Sequence, residues 1–477
     1  MKLPDHKTKI VCTIGPASES PELMKQLIEA GMNIARLNFS HGDFSAHKRV
    51  IENLRAAAAS AGRRIALMAD LSGPKMRIGK FAAEPIQLRA GDTFTLTTDD
   101  IAGDHARVSV SFPGLPLAVR PGNTLYLNDG VIQLEVLAVE GVDVRCRVIV
   151  GGELRSRKGL NLPDIDLGIS AFTDRDRECL KFALENGVDA VSQSFVEKAA
   201  DIENVRRAAA EFGYSPFVIA KIERSRALEH IDGIIEAADG IMIARGDLGV
   251  EVPIERIAVV QKDIMRRANM RAKPVITATQ MLESMTDNSR PTRAEATDVA
   301  NAILDGTDCV MLSAESAMGH YPVDAVRMLA KIAAATEPHR RPVTVQDMYQ
   351  GVDLKINLRP VHLIALGVEA SLEHMSPAAV FVPTHGGATA RFVSVFRPPV
   401  WVVAVSAVES TCRALQFSYG VYPVYEPDHP DDWKAYTRRW LEEHGITGDL
   451  VLLTEGPSKK HPEANHRMEI IELNHKR

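Results

Sequence analysis

Along the first 75 residues, apolar runs rich in β-branched side chains alternate with stretches of helical period. Lys9-Ile10-Val11-Cys12-Thr13-Ile14-Gly15 predicts a strand ending in Gly-Pro. Ser20-Pro21-Glu22 then caps a helix that runs to about Ala30, with proline in its first turn, and Gly31 stops it. A second strand from Met32 to Phe39 delivers Arg36, Asn38 and Ser40 toward one rim. The Ser40-His41-Gly42-Asp43 turn opens a helix through Ala59, and a third strand from Arg64 to Met68 ends at Asp70. Two and a half consecutive units of this kind predict the start of a (β/α)8 barrel.

The alternation then breaks. Residues 77–157 show period-two strands at Thr93–Thr97, Arg107–Val110, Leu125–Leu127 and Val142–Val150, cut by Gly, Asp and Pro turns and without helical patterns. This predicts an inserted β domain whose stems at Gly73-Pro74 and Lys158-Gly159 let it hinge as a lid; a static insertion is the alternative. Barrel strands resume at Ala190–Phe195, Phe217–Ile222, Gly240–Ala244, Lys273–Thr277 and Cys309–Leu312, with helices such as Asp201–Phe212 and Ile257–Arg271 between them, which completes eight. The expected barrel therefore occupies 1–76 and 158–338. Beyond it, 339–477 reads as a small doubly wound α/β domain: helix Val361–Glu373, strand Ala379–Val382, a Gly-Gly loop, a helix and strand Val400–Val405.

Composition narrows the function. The chain of 477 residues is long enough for several cored domains, and a net charge of −6 gives no bulk attraction to nucleic acid or to an anionic membrane. Five scattered cysteines without a CxxC pair predict small buried hydrophobes in a reducing compartment. With no apolar leader core and no unbroken membrane-length run, a cytoplasmic location is expected.

The candidate chemistry sits at strand ends. Lys221 and Glu223 follow one apolar run and Asp247 follows the next, so all three fall at the carboxyl-end mouth of a parallel barrel, where two carboxylates can share a hard divalent cation and an amine can neutralise a bound anion. A salt-bridged group at a strand mouth is the alternative. Ser194, Thr279, Gln280 and Glu283 fall at the same level. Farther on, the loop Thr384, His385, Gly386, Gly387, Ala388, Thr389 lies between a strand and a helix; its free N–H groups could cradle a phosphate, or the glycines could serve turn geometry alone.

Several separate stretches agree on a family. TKIVCTIGPAS (8–18), NIARLNFSHG (33–42), KGLNLP (158–163), AKIE (220–223), ARGDLGVE (244–251), ATQMLESM (278–285) and RPTRAEATDVANAILDGTDCVML (290–312) closely resemble the pyruvate kinase family. The domain order matches it too, while the lid resembles it in residues only at Asn128-Asp129-Gly130. The resemblance implies phosphoryl transfer from phosphoenolpyruvate to ADP, giving ATP and pyruvate. It implies Mg2+ or Mn2+ on Glu223 and Asp247, with Lys221 and Arg36 at the transferred phosphoryl group. It places the substrate carboxylate on the N–H groups of Gly246 and Asp247, at a short Asp247-Leu248-Gly249 turn, and on the Thr279 hydroxyl, with Thr279 also part of a proton relay. It places ADP near Asn38, His41, Arg36, Pro16 and Lys158, with Asp129 closing over its phosphates. A tetramer and a phosphorylated effector at 384–389 are expected on the same basis.

The sequence departs from the family in three places. Relatives carry a Tyr five residues after His41 to flank the base, and here that position is Ala46, so a weaker base contact is expected. Potassium-requiring relatives read Asp-Thr-Lys-Gly-Pro-Glu where this chain reads Asp70-Leu71-Ser72-Gly73-Pro74-Lys75. In them a monovalent cation lies on positions matching Asn38, Ser40, Asp70 and Leu71, and Lys75 can supply a tethered positive charge in its place, so no potassium requirement is expected; a surface lysine reaching solvent is the alternative. The family's usual Gly-x-Thr-Asn ending of the effector region is replaced by Glu455-Gly456-Pro457-Ser458-Lys459-Lys460-His461-Pro462, whose basic residues either complete an anion site or form a solvated tail. Two other functions share part of this pattern. A metal-dependent pyruvate aldolase or lyase would have no use for Asn38 and Asp129, and a non-catalytic phosphometabolite sensor would have no use for Lys221 or the metal pair.

Overall fold

The structure is a computed structural model, and it describes residues 2–340, 343, 359–457 and 465–474. Eight parallel strands close a barrel: β1 Lys9–Thr13, β2 Ile34–Asn38, β3 Ala66–Leu71, β4 Ala190–Gln193, β5 Phe217–Ile222, β6 Gly240–Ala244, β7 Val275–Ala278 and β8 Cys309–Leu312, with β8 pairing back onto β1. Helix α1, Pro21–Ala30, starts where the Ser20 side chain accepts the Leu23 N–H and stops at Gly31 with φ 129°. Helix α2, Phe44–Ser60, opens at the end of the Ser40-to-Asp43 turn, where the Asp43 side chain accepts the Ala46 N–H.

Strand alternation sorts the side chains. Outward residues such as Ile10, Val218 and Ile241 pack under the helices, each contributing about 1.5–3 kcal/mol by leaving water. Inward residues begin apolar at the amino end, with Val11, Ile34, Met68, Ala190, Ile219 and Met242 in one cluster floored by Phe417, whose ring stacks on Phe217 at 5.2 Å. Moving two residues at a time toward the carboxyl end, the same inward rows become Thr13, Arg36, Asp70, Ser192 and Ser194, Lys221 and Glu223. The barrel is thus apolar at its floor and ionic at its mouth.

Between β3 and β4 the chain builds a six-stranded sheet in the order Leu160–Asn161, Thr124–Leu127, Ile132–Glu140, Asp143–Val150, Thr93–Thr97 and Arg107–Ser109, around its own core. The strand Ile132–Glu140 was not expected, and a short helix at Leu115–Ala118 corrects the reading of this region as free of helix. The sheet also runs past residue 157, since Leu160 and Asn161 pair with Leu127 and Tyr126. Gly73 in the first stem has φ 62°, and an added Cβ would lie 2.9 Å from the Phe195 ring, so this stem passes the barrel rim at a distance only glycine allows.

The last domain has five strands, β9 Ala379–Pro383, β10 Trp401–Ser406, β11 Val421–Tyr425, β12 Leu450–Glu455 and β13 Arg467–Glu472, in the order β11-β10-β9-β12-β13, parallel except for β13. Its contact with the barrel floor includes Arg397, whose guanidinium is fully buried against Asp308 at 2.6 and 3.1 Å. All five cysteines are free and buried. Among the described residues no helix is long and apolar enough to cross a membrane.

Candidate active site

At the barrel mouth the inward polar residues form one network. The Lys221 ammonium lies 2.8 Å from Glu223 Oε1, 3.2 Å from Asp70 Oδ1 and 2.6 Å from the Ser194 hydroxyl. Arg36 reaches Asp70 Oδ2 from Nε at 2.9 Å and donates to the Thr13 hydroxyl at 2.8 Å, while Ser192 donates to Asp70 Oδ1 at 2.8 Å. Register makes this possible, because Ser192 stands opposite Asp70 and Asn38 opposite Asp70 on the two neighbours of β3. Glu223 Oε2 accepts the Phe195 N–H at 2.8 Å, which fixes the carboxylate plane.

Asp247 differs from its neighbours. It lies in the first turn of a helix, Arg245–Glu251, and not in the short turn expected from the sequence, because the apolar Leu248 buries into the rim and closes a regular turn. Among the described residues its carboxylate has no hydrogen-bond or ion-pair partner, although solvent reaches it from the cleft. Confinement in the cleft and the nearby Glu223 push its pKa up to about 6, against the opposing pull of Lys221 and Lys75. For Lys221 burial disfavours the charge, yet Asp70 and Glu223 outweigh it and hold the ammonium firmly protonated. Burial likewise works against Asp70, and Lys221 and Arg36 outweigh it, so that its pKa falls well below the ordinary range.

The expected carboxylate donors are already engaged with each other. Gly246 N–H donates to Thr279 Oγ1 at 2.7 Å, and that hydroxyl donates to the Ala278 carbonyl at 2.6 Å. Thr279 and Gln280 both have positive φ, 66° and 52°, and Arg245 holds the Thr279 carbonyl at 2.9 Å. Two acidic side chains with hard oxygens, one of them unpaired and resisting ionisation, fit a divalent cation. Among the described residues no group of three His, Cys, Asp or Glu could hold a metal ion without further ligands.

The remaining expected residues ring the same cleft. Ser40 hydroxyl meets Ser72 hydroxyl at 2.8 Å, and Asn38 Oδ1 accepts the Ser40 N–H at 3.1 Å. Leu71 is buried at the end of β3. Lys75 stands at the cleft mouth, where its surroundings lower its pKa, Lys221 lowers it further, and Asp70, Glu223 and Asp247 raise it; it therefore senses the whole cluster. His41 is exposed, and its pKa is lowered by partial burial, then by Lys75, Arg77 and Arg36. Pro16 is exposed in the loop between β1 and α1. Asp129 sits in a left-handed turn with Asn128 and Gly130, tied through Asn128 N–H to the Gly159 carbonyl beside Lys158, and close enough to add to the raised pKa of Asp247.

Residues that hold this arrangement but carried no role in the sequence reading are Thr13, Ser192, Ser194 and Arg245. Only their places at strand ends signalled them. The loop 384–389 is separate from the cleft: Thr384 Oγ1 accepts the Gly387 N–H at 2.9 Å, Gly387 has φ 80°, and His385 and Gly386 carbonyls are held by Thr411 and Arg391, both at 2.7 Å. Ala388 and Thr389 begin a helix, Ala388–Val395. The basic residues Lys459, Lys460 and His461 expected near it lie outside the described residues. A half-open pocket of about 390 Å³ lies at the barrel's opposite end, between the start of β1 and Trp401, remote from the carboxylates of the mouth.

The chain matches the family model "Pyruvate kinase, barrel domain" over residues 5–326 and "Pyruvate kinase, alpha/beta domain" over 362–471. It is 47% identical over 459 residues to a pyruvate kinase of Thermococcus litoralis, covering 96% of each chain. It is 40% identical to pyruvate kinase 1 of Trypanosoma brucei brucei, covering 93% of this chain and 92% of that one. A crystal structure of a pyruvate kinase from Cryptosporidium parvum superposes with a TM-score of 0.92 at 35% identity, covering 98% of this chain and 97% of that one. With full-length relatives, both family models and a matching architecture in agreement, the chain belongs to the pyruvate kinase family of phosphotransferases.

Proposed function

We propose that this cleft moves the phosphoryl group of phosphoenolpyruvate to ADP by a division of labour among the residues at the barrel mouth. Glu223 and Asp247 would hold Mg2+ or Mn2+, whose chemistry is to gather the substrate's oxygens and offset negative charge. The Asp247 N–H and the Gly246 N–H, the latter exchanging the Thr279 hydroxyl for the substrate carboxylate, orient the three-carbon acid. Lys221 and Arg36 face the transferred phosphoryl and neutralise its equatorial oxygens, which is the main task in a transfer with little covalent chemistry for the protein. A terminal oxygen of ADP bonds to phosphorus as the bond to the enol oxygen breaks, and the enolate left behind takes a proton on carbon from a relay that includes Thr279 but does not use it as the acid.

ADP would rest near Asn38, His41, Pro16 and Lys158, with Asp129 brought over it by the inserted domain. Lys75 takes the place of a monovalent cation beside Asn38, Ser40, Asp70 and Leu71, so the reaction proceeds without potassium. The exposed apolar side chains Ile254, Val259 and Leu363 support assembly into a homotetramer, and the loop at 384–389 supports a phosphorylated effector. A cytoplasmic enzyme follows from the same reading. The observation that carries it is the Lys221 ammonium bridging Asp70 and Glu223 beside an unpaired Asp247. A lactate-dehydrogenase-coupled assay with phosphoenolpyruvate, ADP and Mg2+ tests it, with and without potassium. Turnover in both buffers is expected; absence of turnover in both overturns the reading of the reaction, and turnover only with potassium overturns the role of Lys75.

A further inference from the structure

Arg224 follows Glu223 directly, and its side chain is 2% exposed, the largest of the fully buried side chains. Its guanidinium touches three separate elements. Nη2 donates to the carbonyls of Leu162 and Ile165 at 3.1 and 3.0 Å, and these residues belong to the core of the inserted β domain although they lie on its return to the barrel. Nη2 also stands 3.4 Å from Glu197 Oε1, in the loop that carries the Phe195 N–H bound to Glu223. Nε faces Glu251 Oε2 at 3.2 Å. Glu251 is the last residue of the helix Arg245–Glu251 whose first turn supplies Gly246 and Asp247, and its side chain is 1% exposed.

Stability does not account for this arrangement. A buried Arg–Glu pair gains little over a well-packed apolar pair because both charges are desolvated. This pair is also imperfect, since Arg224 Nε lacks a hydrogen-bond alignment and Glu251 Oε1 has no partner among the described residues. What the guanidinium does have is reach, because its rigid planar fork carries donors that meet two carbonyls and two carboxylates on separate segments at once. It spans the return segment 162–165 of the insertion and the far end of the helix carrying Asp247, from a backbone position adjacent to Glu223.

We propose that Arg224 is a positioning residue that seats the Arg245–Glu251 helix against the segment 162–165, by which the inserted domain returns to the barrel, and so sets the spacing of Asp247 from Glu223 and the affinity for a divalent cation. This rests on the reading that those two carboxylates hold the cation. Residues that orient metal ligands typically account for about 10–100-fold in metal affinity. By reciprocity, cation binding at the carboxylates is felt by the 160–165 backbone through the same guanidinium.

The test uses Mn2+ binding to the full chain without substrates, followed by electron paramagnetic resonance of the free ion, on variants shown to be folded by circular dichroism. Glu223→Gln comes first: loss of Mn2+ binding is expected, and retention overturns the assignment of the metal site itself. Given that loss, Arg224→Met and Arg224→Lys are each expected to weaken Mn2+ binding by about tenfold or more, with kcat at saturating Mn2+ falling less than the affinity. Wild-type affinity in folded Arg224→Met or Arg224→Lys overturns the proposal while leaving the metal site standing. If Arg224→Met does not fold, Arg224→Met/Glu251→Met, which removes both charges, replaces it. Weak Mn2+ binding by that folded double variant supports the positioning role, and restored affinity overturns it. Hydrogen exchange gives a readout that a merely structural role would not move: Mn2+ is expected to slow amide exchange across 160–165 in the wild type and not in Arg224→Lys, and equal slowing in both contradicts the coupling.

Discussion

The barrel carries a buried ionic group at each end, and the two are built to opposite specifications. At the floor, every carboxylate oxygen of Asp308 is satisfied: Oδ1 accepts from Arg397 at 2.6 Å and from the Tyr419 N–H at 3.0 Å, and Oδ2 from the Val275 N–H at 3.0 Å and Arg397 at 3.1 Å. At the mouth, Asp247 has no partner among the described residues and a pKa pushed up to about 6, while Lys221 is spread over Asp70, Glu223 and Ser194. A closed network spends its interactions inside the protein and joins two domains. An open one keeps charge unbalanced so that ions and substrate complete it.

The sharpest way to break this comparison is to remove one charge at the floor. Arg397→Met leaves Asp308 buried without its counter-charge, and a loss of about 3–5 kcal/mol in unfolding free energy is expected. Denaturant titration measures it, and kcat per folded molecule is expected to change by no more than about twofold, since Arg397 touches nothing at the mouth. A large loss of kcat without a loss of stability would erase the distinction between the two ends.

How much of this was visible in the sequence follows from range. The strands at Phe217–Ile222 and Gly240–Ala244 are read correctly because each is a continuous apolar run stopped by charge. Lys273–Thr277 shifts to Val275–Ala278, since the ladder begins only after Pro274, whose carbonyl accepts the Ile241 N–H. The strand Ile132–Glu140 was missed because its alternation slips at a register shift between Val136 and Ala138. The mouth residues themselves are legible from their places at strand ends. Their partnerships are not, because Ser192 meets Asp70 and Arg224 meets Glu251 only through register and packing between distant segments. Nor could the sequence say that Gly246 and Thr279 would be bonded to each other.

A smaller effect sharpens the contrast through pH. Because Asp247 has its folded pKa raised, its contribution to stability is complete below the ordinary carboxylate range near pH 3.8 and is lost as pH rises through about 6. Cation binding has the opposite sign, since only the ionised carboxylate is a ligand. Mn2+ affinity is expected to be flat above about pH 6 and to fall by up to about tenfold per pH unit below it, with Asp247→Asn weakening binding and flattening the profile. An unchanged slope in Asp247→Asn would assign the titration to another group.

The smallest expected effect concerns Lys75, the charge at the edge of the open network. Replacing potassium with a tetraalkylammonium ion is expected to change wild-type turnover by no more than about twofold, whereas Lys75→Glu should become potassium-stimulated by roughly tenfold, a gap of about 1.4 kcal/mol. Equal insensitivity in both would show that Lys75 does not stand in for a cation.

The central claim is that the mouth network is poised for phosphoryl transfer, with Lys221 acting on the migrating group rather than on the metal. Its most direct test is Lys221→Met, assayed for turnover and for Mn2+ binding on the same folded sample. Turnover is expected to fall by about 10³-fold, while Mn2+ binds at least as tightly because Glu223 is released from the ammonium. Turnover close to that of the wild type would contradict the account, as would a loss of metal binding in proportion to the loss of turnover.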